Sequence, residues 1–278
     1  MSGGVLVTGA SSGIGRACAL DLTRRGFRVF GGVRKEEDAE VLRSDGIAPV
    51  LLDVTDADAI ARVRDEIDAA LGDEPLAGLV NNAGVGIGGP IETIELDDLR
   101  RQFEINTFAP VAVTQAFLPR LRRSRGRVVN MGSVGGRVSQ PFLGPYSASK
   151  YALEALSDVM RRELRPWGIR VAVIEPGNIK TRIWEKGASQ VDAMRERMTP
   201  GEHELYGRNL DRMEKVIRFA DRIGAPPEKV AKAVAHALTS DRPRARYLVG
   251  ADARVQLALE KGLPTPVVDR LMAKLSGS

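Results

Sequence analysis

Short apolar runs alternate with longer helical stretches along most of the chain, and that alternation leaves few architectures open. The runs lie at residues 5–7, 29–33, 49–52, 79–80, 128–131, 171–174 and 247–249. They are continuously apolar, as expected of strands covered on both faces. Helical stretches at 14–25, 56–71, 97–122, 146–165 and 227–238 separate them, and Gly26 stands where a helix C-cap glycine is expected. The pattern predicts an α/β fold: a doubly wound, seven-stranded parallel sheet with right-handed crossovers, flanked by helices. The 278 residues suit one domain spanning 1–278. No strand is legible in residues 181–224, which hold Trp184, Met194, Met198, Tyr206, Met213, Ile217 and Phe219 among many charges. They are expected to form a helical, substrate-binding insertion before the last strand. Residues 251–278 form a C-terminal extension with Val255, Leu257, Leu259, Leu271 and Leu275 as its apolar set.

Composition removes several function classes. Cys18 is the only cysteine and His203 and His236 the only histidines, so no disulfide framework, metal site or Ser-His-Asp triad is expected. The +5 charge is mild for this length and does not point to nucleic acid. Arg120, Arg122, Arg123, Arg125 and Arg127 are the densest basic cluster: a solvated helix end, or a docking patch for an acidic partner such as a carrier protein. No apolar stretch is long enough to span a membrane, and no leader precedes the first strand, so a soluble cytoplasmic protein is expected.

The chemistry begins at Thr8-Gly9-Ala10-Ser11-Ser12-Gly13-Ile14-Gly15, between the first strand and the first helix. Gly9 permits a turn closed to residues with a Cβ, Gly13 lets the backbone approach a pyrophosphate, and Gly15 allows close helix–strand packing. The N–H groups at the helix start stabilise the anion. In this setting the turn indicates a Rossmann-type dinucleotide site, with Gly9, Ser11, Ser12, Gly13, Ile14 and Gly15 as cofactor contacts. The Lys-Ser/Thr ending of a nucleoside triphosphate loop is lacking.

With this turn, the chain resembles the short-chain dehydrogenase/reductase family. It also carries Asn-Asn-Ala-Gly at 81–84, Asn106, Ser133, a Tyr-x-x-x-Lys pair at Tyr146 and Lys150, and Pro176-Gly177 followed by Thr181. The resemblance runs from residue 4 to about residue 250. It implies an oxidoreductase moving a hydride between a nicotinamide cofactor and a secondary alcohol or ketone.

The end of the second strand bears on which cofactor. An NAD site needs a carboxylate there for the adenosine ribose hydroxyls, whereas a 2′-phosphate is welcomed by Arg. Val33 holds that position and Arg34 follows, which favours NADP(H) over NAD(H). The other reading of Arg34 is an exposed residue in a charged loop. The resemblance puts Asp53 at the adenine amino group with Val54 beside it, and Asn82, Ala83 and Gly84 beside the cofactor crevice. It puts the Ile179 backbone and the Thr181 hydroxyl at the nicotinamide carboxamide, with Pro176 and Gly177 among the cofactor contacts. Asp53 also reads as a helix N-cap.

Tyr146 and Lys150 lie one helical turn apart and share a face. A phenol of pKa about 10 is a poor base at neutral pH, and a nearby ammonium lowers it. A shift of three units takes about 4 kcal/mol of differential stabilisation. The resemblance assigns Tyr146 proton transfer, Lys150 that tuning and the nicotinamide ribose, Ser133 a hydrogen bond to the reacting oxygen, and Asn106 a water linking Lys150 to solvent.

The substrate is the least legible feature. Candidate walls are Val85, Ile87, Val134, Val138, Phe142, Leu143 and Trp184, with the insertion. Such walls suit a bulky apolar ketone or alcohol, and the insertion and tail resemble steroid- and retinol-dehydrogenase-like members. A 3-oxoacyl thioester on a carrier protein remains an alternative, as does a catalytically silent NADP(H)-binding sensor. A homodimer or homotetramer is expected, with a dimer built on helices 97–122 and 146–165 favoured.

Overall fold

The computed structural model describes residues 3–181 and 183–276, leaving aside the side chains of 183–188, 190, 221 and 275–276. Seven strands form one parallel sheet: β1 (Gly4–Thr8), β2 (Arg28–Val33), β3 (Ala48–Leu51), β4 (Leu76–Asn81), β5 (Arg127–Met131), β6 (Arg170–Pro176) and β7 (Arg246–Val249). Their order is β3-β2-β1-β4-β5-β6-β7. The chain thus winds outward in one direction from β1, then returns to β4 and winds the other way. At that reversal the carboxyl ends of β1 and β4 diverge into a crevice, where doubly wound sheets bind ligands.

Strand residues alternate between two cores. Val5 and Val7 of β1 pack with Cys18, Leu22, Val230 and Val234 on one face, while Leu6 packs with Ile67, Phe117 and Leu121 on the other. Both faces are therefore covered, which is why the strands read as unbroken apolar runs. Helices α1 (Gly13–Arg24), α2 (Glu36–Ser44) and α9 (Pro227–Thr239) cover the first face. Helices α3 (Ala57–Leu71), α5 (Ala109–Ser124) and α6 (Gly144–Glu163) cover the second. Cys18 is fully buried, and desolvation pushes its thiol far above the ordinary range, so it is a small core residue.

The stretch expected as one helix over 97–122 is broken. It comprises α4 (Leu96–Phe103), a π-helical turn at Glu104–Phe108, and α5. The insertion forms two helices, α7 (Ile183–Arg197) and α8 (Pro200–Ile223). Thr199 starts α8 through a capping box: its hydroxyl accepts from the Glu202 N–H, and the Glu202 carboxylate accepts from the Thr199 N–H at 2.7 Å. The tail forms α10 (Ala251–Gly262) and α11 (Thr265–Ser276). Its Ala253 packs with Val134 and Val138, beside the carboxyl end of β5. Among the described residues no helix is long and apolar enough to cross a membrane.

Candidate active site

The crevice is laced shut around the glycine turn. Thr8 Oγ1 accepts from the N–H groups of Asn82 at 2.9 Å and Ala83 at 3.0 Å. Asn82 Nδ2 donates back to the carbonyls of Thr8 at 2.9 Å and Gly9 at 3.1 Å. Gly9 and Gly13 have φ of +66° and +55°, a region that side chains rarely adopt. Ser12 is the N-cap of α1 but makes no side-chain capping bond, and the first turn carries no acidic residue. The first N–H groups of α1 are thus left to an outside acceptor, which fits a phosphate.

The part of the cavity where the sequence leads one to expect adenosine lies beyond β2 and β3. Arg34, Lys35, Asp38, Asp53 and Val54 all line the same cavity as the glycine turn. Asp53 is not a helix cap; Asp56 caps α3, accepting from Asp58 and Ala59. Instead Asp53 Oδ1 accepts from the Thr55 hydroxyl at 2.7 Å and its N–H at 2.9 Å. Those bonds, with a smaller contribution from Arg34, hold its carboxyl below the usual range. It is an ionised acceptor.

On the far side, β5 leads into Ser133, and α6 brings Tyr146 and Lys150 opposite it. Ser133 Oγ accepts from the Gly135 N–H at 3.0 Å and is hydrogen-bonded to Tyr146. A Cβ on Gly135 would stand 3.2 Å from the Tyr146 ring and 3.4 Å from Ser133 Oγ, so bare backbone keeps the pair together. Lys150 is buried, with Nζ donating to the Met131 carbonyl at 2.8 Å. That hold places Nζ 5.9 Å from the centre of the Tyr146 ring. The chain's own groups therefore do not make the phenol acidic. Burial raises its pKa above 10.0, opposed by the Ser133 bond. Burial also draws Lys150 down to about 8, against the opposing charge of Glu154.

Asn106 sits in the π-helical turn, a distortion that often marks functional positions. Its Oδ1 accepts from the Val85 N–H at 2.9 Å, and its Nδ2 donates to the Val85 carbonyl at 2.9 Å and to Ser149 Oγ at 3.1 Å. A Cβ on Gly84 would lie 3.2 Å from Asn106 Oδ1 and 3.8 Å from Lys150 Nζ. Glycine leaves a gap between those two groups.

After β6, the loop from Pro176 closes over the phosphate turn. The Thr181 methyl lies 3.1 Å from where a Gly13 Cβ would stand. The Gly177 N–H donates to the Val249 carbonyl at 2.9 Å, and the Asn178 N–H donates to Asp252 Oδ2 at 2.7 Å. Asp252 is in the first turn of α10, so the C-terminal tail holds this loop. Replacing Asp252 with Ala is expected to raise the KM for cofactor about five-fold, a loss of ~1 kcal/mol typical of one hydrogen bond. Steady-state kinetics at varied cofactor, with kcat little changed, checks it.

These parts share one cavity of about 480 Å³, within the range of small-molecule sites. Every residue expected to contact cofactor lines it, from Gly9 to Thr181. Ser133, Tyr146 and Lys150 line it too, while Asn106 lies behind the wall. Of the expected substrate walls, Val85, Val134 and Leu143 line it. Phe142 and Ile87 do not; Phe142 contributes its carbonyl, which accepts from Gly89 at 2.6 Å. Val138 is fully buried in the core beside Val134. The Trp184 side chain lies outside the described residues.

A family model described as short chain dehydrogenase matches residues 4–192. The chain belongs to the short-chain dehydrogenases. It is 37% identical over 277 residues to an NADPH-dependent 3-dehydrocapnine reductase of Ornithobacterium rhinotracheale, covering 97% of this chain and 95% of that one. It is 39% identical over 277 residues to retinol dehydrogenase 5 of Mus musculus, covering 96% and 87%. A short-chain dehydrogenase structure from Streptomyces avermitilis superposes with a TM-score of 0.76 at 30% identity, covering 99% of this chain and 95% of that one.

As a short-chain dehydrogenase the protein is an oxidoreductase that acts on alcohol and ketone groups with a nicotinamide cofactor. Of the insertion named as a candidate substrate wall, Val191 and Met194 of α7 and Met213 and Ile217 of α8 line the cavity of this dehydrogenase. Gln140, from the loop before α6, and Gln256, from α10, escaped sequence reasoning. A partial signal existed in α8, where Leu210, Met213, Ile217 and Ala220 follow a helical repeat and Leu210 and Ala220 are buried. The basic cluster divides: Arg122, Arg123 and Arg125 are exposed at the end of α5, as a solvated helix end, while Arg120 and Arg127 turn inward. Arg120 is 6% exposed and donates to the Gly72 and Glu74 carbonyls at 2.7 Å and to Asp68 at 3.0 Å. Arg127 donates to the Ala237 carbonyl at 2.8 Å, and Arg122 stacks over Trp167.

Proposed function

We propose that this dehydrogenase reduces bulky apolar ketones with NADPH, and oxidises the matching secondary alcohols in reverse. The observation that carries the reading is the composition of the cavity. The phosphate turn, the Ser133–Tyr146–Lys150 group and an apolar wall from Val85, Val134, Leu143, Val191, Met194, Met213 and Ile217 line one space. The similarity to an NADPH-dependent 3-dehydrocapnine reductase supports a reduction run with NADPH. In this reading, residues 181–224 are the substrate-binding part of a single domain and the tail braces them.

A bound nicotinamide supplies or accepts the hydride. Tyr146 hands its phenolic proton to the substrate oxygen, and burial keeps that proton in place, as reduction requires. Ser133 donates to the same oxygen as charge builds there. The Lys150 ammonium has three donors; one is held by Met131, and the others serve the cofactor ribose and the phenol. Asn106 holds a water in the gap beside Gly84, through which Lys150 exchanges protons with solvent. The carrier-protein alternative loses support because Arg120 and Arg127 hold backbone carbonyls inside the fold.

The test follows cofactor absorbance with NADPH and NADH against a bicyclic ketone such as decalone, short ketones and 3-oxoacyl thioesters. Turnover of the bicyclic ketone with NADPH is expected; a preference for thioesters, or for NADH, overturns the reading. For the cofactor the decisive residue is Arg34. Replacing it with Glu is expected to lower kcat/KM for NADPH about 100-fold, as for loss of a hydrogen-bonded charge pair with added repulsion. NADH should change less than three-fold, a difference of under ~1 kcal/mol.

A further inference from the structure

One turn beyond Lys150 on α6, Glu154 is 5% exposed. A buried carboxylate is costly unless fully partnered, and this one is half partnered. Its Oε2 accepts from Arg246 Nε of β7 at 3.0 Å. Its Oε1 is buried with no hydrogen-bond partner and lies 3.0 Å from where a Cβ on Gly132 would stand. Gly132 separates Met131, whose carbonyl holds Lys150, from Ser133. The unpartnered oxygen therefore backs directly onto the segment carrying both groups.

Other charges surround it from every packed element. Glu175 of β6, 2% exposed, shares Arg246 at 3.3 Å and accepts from Arg137 at 3.0 Å. Asp158, one turn further along α6, takes the other end of Arg246 at 3.0 Å and also meets Arg161 and Arg162. Lys150 is the remaining cation, on the cavity side.

We propose that Glu154 is a positioning residue for this reaction: its buried carboxylate keeps the Lys150 ammonium charged where water is scarce. The proposal rests on the role given to Lys150 above. Burial, then Glu175, pushes Glu154 up to about 7, with Arg246 and Arg137 opposing. Below that pH Glu154 is neutral, and Lys150 needs no help to stay protonated. Above it the ionised carboxylate favours the ammonium, which is lost only on approaching about 8. Without the carboxylate the ammonium is lost at lower pH.

The experiment is the pH profile of kcat with NADPH and decalone for the wild type, Glu154→Gln and Glu154→Asp. In Glu154→Gln the basic limb should move down by about one unit. At pH 6 its kcat should match the wild type within about two-fold, since the wild-type carboxyl is then mostly neutral, like the amide that replaces it. Glu154→Asp should return the limb to its place. A structural role would lower kcat equally at every pH and leave the limb unmoved, which overturns the proposal. Should Glu154→Gln fail to fold, Glu154→Met removes the same carboxylate with an apolar side chain of similar length and must shift the limb the same way; an unmoved limb overturns the proposal here too. A wild type without turnover, or one indifferent to Lys150→Met, overturns the reading of Lys150 itself; a limb fixed against Glu154→Gln overturns only the role of Glu154.

Discussion

Replacing Tyr146 with Phe should lower kcat about 1,000-fold while leaving the Kd for NADPH within about two-fold. The substitution removes one oxygen and one proton from a side chain already braced by its surroundings. Gly135 lies against the ring edge, and Tyr146 directly follows Pro145 in the first turn of α6. The phenyl ring should therefore keep its place. What disappears is the donor hydrogen-bonded to Ser133 and aimed into the cavity. Correctly placed proton transfer contributes about 10²–10⁴ in rate, and burial makes Tyr146 a donor that holds its proton throughout the neutral range. Single-turnover kinetics with fluorescence titration of NADPH separates chemistry from binding. A Phe variant keeping a tenth of the wild-type rate would show that the proton comes from elsewhere.

How much was legible beforehand depended on whether a residue's partners were near it in sequence. All seven strands were readable because a two-sided parallel sheet forces unbroken apolar runs, such as Val128–Val129 and Val171–Ile174. The glycine turn was readable because its constraints are local. Helix α2 was not expected: Glu36–Ser44 is short and mostly polar, with only Ala39 and Leu42 buried. The π-helical turn went unread although Pro110 lies inside residues 97–122: a proline has no N–H for the Asn106 carbonyl four residues back, so it interrupts a helical pattern. What the sequence could not show is where the Asn106 side chain is held, by Val85, 21 residues earlier, and by Ser149, 43 residues later. The inward bonding of Arg120 was hidden for the same reason, since the carbonyls that it holds are 46 and 48 residues away. Nothing local marks Glu154, whose partner Arg246 comes from β7, 92 residues further on. Local chemistry thus marked the glycine turn and the Tyr–Lys pair, while which wall residues reach the cavity, and the charges behind them, needed the fold.

The second large effect is expected at Gly15. A Cβ there would overlap the Gly9 carbonyl oxygen, and would stand 2.5 Å from Asn82 Nδ2 and 2.9 Å from the Gly9 carbonyl carbon. None of these neighbours can give way cheaply. Gly9 is held in a left-handed conformation, and Asn82 is the clamp between β1 and β4. The turn must therefore open, which costs about 1–3 kcal/mol of stability as overpacking. The same movement displaces the uncapped N–H groups at the start of α1. A displacement of about 1 Å in a positioning element can cost 100-fold, so Gly15→Ala should raise the Kd for NADPH by roughly that factor. Gly201, in the first turn of α8, is the control. A Cβ there meets nothing within 4 Å and its backbone is not left-handed. Gly201→Ala should leave affinity unchanged and stabilise the fold by about 0.5–1 kcal/mol through helix propensity. Thermal melts with NADPH titrations check both variants. A Gly15→Ala protein that binds NADPH as tightly as the Gly201→Ala control would mean that the turn does not hold the phosphates.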